Sequence, residues 1–289
     1  MKAYEWLTRA QKEGFALGAF NAGNIETLKA IVGAAKELSS PVIIEASPGE
    51  IEYFGLQELA ATVRALEKDY QIAIILNLDH APDYESCQKA IEAGFDYVHI
   101  DGSKLAYGEN VAVTRRVAGK AHAKGLLVEG EMDAIGGSSA DLRQQSATSR
   151  QQSANYTDPK RALDFVQATG VDTFASFVGN VHGLYQGEKK IDLELLKRIA
   201  GALPGKFLSL HGGSGIPDDQ IRAAIKLGVV KININSELRV TFHDALKKTL
   251  EDKSTKDEVA IYKITPPAIE AMQKIVEDKI LLFGSAGKM

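Results

Sequence analysis

Eight short apolar runs, each followed by a longer stretch with apolar residues three and four apart, limit what this chain can fold into. The runs cover residues 15–20, 41–46, 72–78, 97–100, 126–128, 173–178, 207–210 and 229–234. Between them lie residues 25–38, 55–69, 83–93, 110–124, 159–169, 193–202 and 218–227, each with the spacing of an amphipathic helix. Gly94, Gly125, Gly170 and Gly228 close helical stretches just before the next run, the usual helix-ending signal. Near-continuous apolar strands covered by helices imply a parallel sheet buried on both faces. Eight such units predict an α/β fold, a closed (β/α)8 TIM barrel; an open doubly wound sheet is the competing arrangement. No break in composition divides the chain, so residues 1–289 read as a single domain, with 248–289 as extra C-terminal helices on the outside.

Charge and cysteine content narrow the function classes. A net charge of −4 disfavours nucleic acid and anionic membranes as partners, so attraction for an anion must come from local groups. The single cysteine, Cys87, cannot form an internal disulfide, which suits a reducing cytoplasm. No apolar run has the length of a membrane span, and residues 1–14 lack the apolar centre of a signal peptide.

In a parallel barrel, chemistry gathers at the C-terminal ends of the strands. These ends carry Asn21, Ser47, Asp79-His80, Asp101, Glu129 and Glu131, His182-Gly183, His211 to Ser214, and Asn233 to Ser236. Three of the six histidines, His80, His182 and His211, therefore fall on one rim. Three imidazoles without cysteine fit a catalytic Zn²⁺ that keeps an open position, although other divalent metals accept imidazole too. Asp79 is placed either to exchange protons with a substrate or to orient an imidazole. Asp101 and Glu131 suit a second cation or a hydrogen-bonding shell around the histidines. Asn21, Ser47 and Asn233 can orient hydroxyls. Gly183, Gly212, Gly213, Ser214, Asn235 and Ser236 offer donors suited to a phosphate, as in backbone nests. His99 reads as a satisfied core residue, and His122 and His243 as solvent-facing. Residues 136–157 break the rhythm with a long polar tract in which Arg143 to Ala147 recurs as Arg150 to Ala154; a stretch of this kind reads as a mobile active-site loop.

Taken together, Gly18 to Asn21, Glu45 to Gly49, Leu78-Asp79-His80, Ile100 to Ser103, Val128 to Glu131, Tyr156 to Pro159, Val181 to Tyr185, Leu210 to Pro217 and Lys231 to Glu237 resemble the class II, metal-dependent ketose-bisphosphate aldolases. The resemblance implies Zn²⁺ on His80, His182 and His211, and Asp79 as the group that donates a proton to the aldehyde oxygen in condensation. It implies a second divalent ion near Asp101 and Glu131 in some members, and a monovalent cation on the backbone around Val181, Gly183 and Gly212. It further implies a dihydroxyacetone-phosphate cradle at Gly183, Gly212, Ser214, Asn235 and Ser236, and Asn233 touching the enediolate. Arg239 matches a residue that grips the far phosphate in some fructose-bisphosphate enzymes, where tagatose-type members often carry lysine. A phosphorylated sugar is thus the expected partner, fructose 1,6-bisphosphate first and tagatose 1,6-bisphosphate second, cleaved by a homodimer or homotetramer.

One departure bears on mechanism. The family's loop glutamate, which moves a substrate proton, has no counterpart after Gly136-Gly137: the chain reads Ser138-Ser139-Ala140-Asp141. Asp141 is the nearest carboxylate and the candidate replacement. The change also admits an altered substrate, a related phosphorylated or sulfonated sugar.

Overall fold

The computed structural model describes residues 2–136, 142–146, 156–186 and 189–289. In chain order its strands are β1 (Leu17–Asn21), β2 (Val42–Ala46), β3 (Ile74–Ala81), β4 (Tyr97–Asp101), β5 (Leu127–Glu131), β6 (Leu142–Ser146), β7 (Thr173–Ala175), β8 (Leu184–Gln186), β9 (Phe207–Leu210) and β10 (Val229–Ile234). Eight of them form a closed parallel barrel in the ring order β1, β2, β3, β4, β5, β7, β9, β10. β10 returns to β1 with Leu17 beside Lys231 and Ala19 beside Asn233. The closed TIM barrel is the predicted fold, and the open sheet is excluded.

The helices are α1 (Ala3–Glu13), α2 (Ile25–Glu37), α3 (Pro48–Phe54), α4 (Leu56–Tyr70), α5 (Tyr84–Ala93), α6 (Tyr107–His122), α7 (Pro159–Thr169), α8 (Leu193–Ala202), α9 (Asp218–Lys226), α10 (Ser236–Glu251), α11 (Ile261–Ile264) and α12 (Pro266–Phe283). Their starts are written in the sequence. Asn24, Asp83, Asp158 and Asp192 each accept a hydrogen bond from the backbone N–H three residues on, satisfying one of the unpaired donors of a helix start. Among the described residues no helix is long and apolar enough to cross a membrane.

Strand alternation sorts the core into two parts. Even-numbered residues such as Ile44, Leu76, Val98, Val128, Phe174, Leu208 and Ile232 face outward and are buried under the helices. Odd-numbered residues fill the barrel in layers. At the N-terminal mouth, Leu17, Ile43, Ile75, Tyr97, Leu127 and Phe207 pack with Trp6, Leu7 and Ala10 of α1, which plugs that end. Above them lie Glu45, Asn77, His99, Glu129, Ser209 and Lys231, all fully buried. The C-terminal rim carries Asn21, Asp79, Asp101, Glu131 and Asn233.

The C-terminal helices are present outside the strands, as expected, but α12 is more than an appendage. It packs against both α2 and α10 and buries Met272, Val276 and Ile280. Phe283 O accepts from Ala16 N at 3.0 Å, tying the helix end to the start of β1. Three elements, α3, β6 and β8, go beyond the sequence reading. The Pro48-Gly49 turn opens the short helix α3. Residues 142–146, expected to lack regular structure, form β6, which pairs in parallel with β8. The rest of the expected loop 137–155, including Asp141 and most of the repeat, lies outside the described residues.

Candidate active site

β3 carries a bulge where the rim chemistry begins. Leu78 pairs with Val98 but Ala81 with Ile100, so Asp79 and His80 together stand opposite His99. Alternation alone would send two consecutive side chains to opposite faces. The extra residue, with His80 at φ 50°, re-aims the chain so that both reach the mouth. A left-handed backbone at a non-glycine residue is costly and marks a built feature.

The three rim histidines converge. Ring centroids of His80 lie 4.7 Å from His211 and 5.2 Å from His182, and those of His182 and His211 are 6.0 Å apart. His80 Nδ1 lies 2.9 Å from Asp101 Oδ2 and 3.5 Å from Glu131 Oε2. His211 Nε2 lies 2.8 Å from Glu129 Oε1, and His182 Nδ1 3.4 Å from Ile135 O. These acceptors place a proton on each outer nitrogen and turn His80 Nε2 and His211 Nδ1 toward each other at 3.0 Å. Burial lowers His211 to about 3 and His182 to about 4, the latter helped by the charge of His80. Burial also acts against charge on His80, but Asp79, Asp101 and Glu131 outweigh it and raise its pKa. That shift favours a proton on His80 Nε2, between the two facing lone pairs. A divalent cation fits the same place, because binding to imidazole displaces such protons.

A cleft of about 370 Å³ opens over this group. It is lined by Asn21, Ser47, Asp79, His80, Asp101, Glu131, His182, Gly183, Gly212, Ser214, Asn233, Asn235 and Ser236, so most of the residues singled out from sequence share one cavity. His211 lies behind His80 and is fully buried. Gly213 is turned away from the cleft, its position hemmed by Ile232 and Asn233 O. Asp79 accepts from Asn21 Nδ2 at 3.2 Å and Asn233 Nδ2 at 3.4 Å. Burial raises its pKa, but His80, His99, His211 and Lys231 together pull it well below the carboxylate range, so it enters chemistry as an anion. Arg239 stands in a neighbouring cleft that shares Asn21 and Asn235, and its guanidinium donates to Glu50 Oε1 at 2.7 Å. Glu50 also accepts from Asn21 and from Ser47, linking the two clefts.

Several participants escape the sequence reading. His99 is indeed buried, but it belongs to the site: its Nδ1 accepts from His80 N at 3.2 Å, and its Nε2 lies 3.5 Å from Glu131 Oε2. In the same layer, Lys231 Nζ donates to Glu129 Oε2 at 2.8 Å and lies 3.3 Å from Glu45 Oε2. Polar residues at alternate positions of otherwise apolar strands were the signal for this layer. His243 is exposed as expected; His122 is also exposed, with Nε2 2.8 Å from Asp172 Oδ2. Lys189 is 1% exposed, and no pattern in its polar surroundings announces that burial.

The family model for class II fructose-bisphosphate aldolase matches residues 1–288. The chain is 38% identical over 288 residues to the fructose-bisphosphate aldolase of Geobacillus stearothermophilus, covering 98% of this chain and 96% of the relative. It is 36% identical over 282 residues to the sulfofructosephosphate aldolase of Alkalicoccus urumqiensis, at 98% and 96% coverage. Among solved structures, the YdjI aldolase of Escherichia coli K12 superposes with a TM-score of 0.83 at 28% identity, covering 100% of this chain and 98% of that one.

Proposed function

From the premise that the chain belongs to the class II fructose-bisphosphate aldolase family and is an aldolase, we propose that it cleaves fructose 1,6-bisphosphate to dihydroxyacetone phosphate and glyceraldehyde 3-phosphate, with a divalent cation, Zn²⁺, held by His80, His182 and His211. The observation that carries this reading is the convergence of three imidazoles beside an ionised Asp79 in a cleft whose far wall is the glycine-rich turn at 212–214. When bound, the cation supplies Lewis-acid stabilisation to negative charge beside the breaking carbon–carbon bond, a contribution of several kcal/mol. Asp79 accepts the proton of the C4 hydroxyl as the C3–C4 bond breaks, and returns it to the aldehyde oxygen in the reverse direction. Asn21 and Asn233 hold that carboxylate in place. The electron pair left on C3 must then take a proton from a second acid, and Asp141 is the nearest carboxylate in the sequence. Gly183, Gly212, Ser214, Asn235 and Ser236 present donors to the phosphate of the three-carbon half. Asp101, Glu131 and Glu129 orient the imidazoles, a role in which outer-shell carboxylates raise ligand basicity.

Retro-aldol turnover on fructose and tagatose bisphosphates, with and without a chelator, tests the assignment. Turnover is expected on the fructose substrate, lost on chelation and restored by Zn²⁺; activity that survives complete metal removal refutes it. A second reading is a sulfonated or otherwise altered sugar phosphate. It is favoured by the comparable likeness to a sulfofructosephosphate aldolase and by the absent loop glutamate. Preferential cleavage of 6-deoxy-6-sulfofructose 1-phosphate over the bisphosphates would select it.

A further inference from the structure

Lys189 enters the barrel rim from the segment after β8 and is buried to 1% exposure. Its Nζ donates to Val181 O at 2.8 Å, Gly212 O at 3.2 Å and Ser214 O at 2.5 Å. Three protons of an ammonium thus meet three carbonyl oxygens from two separate loops, 181–183 and 212–214, which form the two sides of the proposed phosphate cradle. The loops touch backbone to backbone. A Cβ on Gly212, whose φ is 60°, would lie 2.5 Å from Val181 O. Carbonyl dipoles aimed at one buried point repel unless a cation stands between them, and buried carbonyls must be paired. The outward sides of the same peptides are fixed too: Gly213 N donates to Asn233 O at 3.1 Å, and Gly215 N to Glu237 Oε1 at 2.7 Å. These carbonyls include ones to which the family resemblance assigns a monovalent metal ion; in this chain they receive the ammonium.

We propose that Lys189 is a chain-borne substitute for that monovalent cation, a positioning residue that locks loops 181–183 and 212–214 into the phosphate-binding shape, so that the protein needs no added Na⁺ or K⁺. Three carbonyl acceptors around Nζ match the three donors of an ammonium. A tethered cation is present at every cradle regardless of the salt around it, whereas a free ion has to be captured from solution.

The inference rests on the aldolase reading only for the identity of the phosphate ester, so binding and turnover are measured separately. Metal-replete protein is titrated with dihydroxyacetone phosphate, and with inorganic phosphate, by calorimetry in K⁺, Na⁺ or tetramethylammonium at constant ionic strength. Wild type is expected to show the same affinity in all three within about twofold, with KM for the bisphosphate following suit. Lys189→Ala, which opens a space of ionic size, is expected to bind at least tenfold more weakly in tetramethylammonium and to recover in K⁺ or ammonium, with the change in KM rather than kcat. Lys189→Met, which fills the space without charge, is expected to lose the same affinity and to recover in none. A wild type that requires K⁺ or Na⁺, a Lys189→Ala protein that binds as wild type does without small cations, or a loss that no cation reverses would each overturn the proposal. If the variants do not fold, the wild-type salt series decides alone. A wild type that binds phosphate esters without cleaving any bisphosphate defeats the aldolase reading and leaves this one standing.

Discussion

Asp79 and Glu45 stand in adjacent layers along the barrel axis, and their surroundings drive them in opposite directions. Asp79 is kept anionic by three imidazoles and Lys231, so replacing it removes a base without removing a proposed metal ligand. Asp79→Asn is expected to cut kcat by about 10²–10⁴-fold while metal content, read by atomic emission, stays at the wild-type level. Loss of metal along with activity would move Asp79 into the ligand set. Glu45 is raised from 4.5 to about 7 by burial and by the charge of Asp79, with Lys231 opposing. Between those values the folded protein keeps a proton that the unfolded chain has released. Stability from this group therefore falls as pH rises from about 4.5 to about 7, by up to about 1.4 kcal/mol for each pH unit. Glu45→Gln cannot titrate, so urea melts should show its stability gaining on wild type by up to about 3 kcal/mol between pH 4.5 and 7.5. A flat difference would mean that Glu45 is ionised throughout and shares Lys231 with Glu129. The presence of polar residues here was legible from the odd positions of β2, β5 and β10, but their pairing was not. Lys231 meets Glu45 and Glu129 only because β1 and β10 close the ring. Lys189 was less legible still, since a lysine in a polar tract is ordinarily solvated and its three acceptors come from loops joined only by the fold.

At the level of elements, the strands were readable because a strand buried on both faces has to be apolar nearly throughout. β9 and β10 have the expected bounds, and the others differ by a few residues at their ends. What alternation could not reveal is the bulge in β3, because one inserted residue changes which way every following side chain points. The sequence placed Asp79 and His80 at the rim, and the bulge is what lets even-numbered His80 share the cleft with Asp79. α1 shows the complementary limit. Its apolar spacing marks a helix, yet nothing local says that it closes the N-terminal mouth. Trp6 is 5% exposed there, so Trp6→Ala should destabilise the fold by about 3–5 kcal/mol. The cleft is at the opposite end of the strands, so KM and kcat measured below the melting range should match wild type. A change in KM would show that the plug sets the geometry of the far rim.

Across the whole molecule, the proposed ligands come from three sectors of one ring: His80 from β3, His182 from the segment after β7, and His211 from the end of β9. A cation bound there would cross-link elements that no disulfide joins, and it would bind the folded chain alone. Metal at about one hundred times its dissociation constant then adds about 2.7 kcal/mol to stability, and for a domain of this size each kcal/mol moves Tm by about 2–4 °C. Chelation of the purified holoprotein should accordingly lower Tm by about 5–10 °C and abolish turnover, and added Zn²⁺ should restore both. Asp79, Asp101 and Glu131 raise the pKa of His80 against its burial, which favours positive charge at the rim after chelation. That residual charge is why the apo barrel should remain folded rather than open at the rim. His182→Ala separates this account from a nonspecific effect of the chelator: its Tm should no longer respond to Zn²⁺ or to chelation. A variant whose Tm still follows the metal would place the cation elsewhere, at the Asp79, His80, His99 and His211 group or at the His80, Asp101 and Glu131 group, both of which bring donor atoms together without His182.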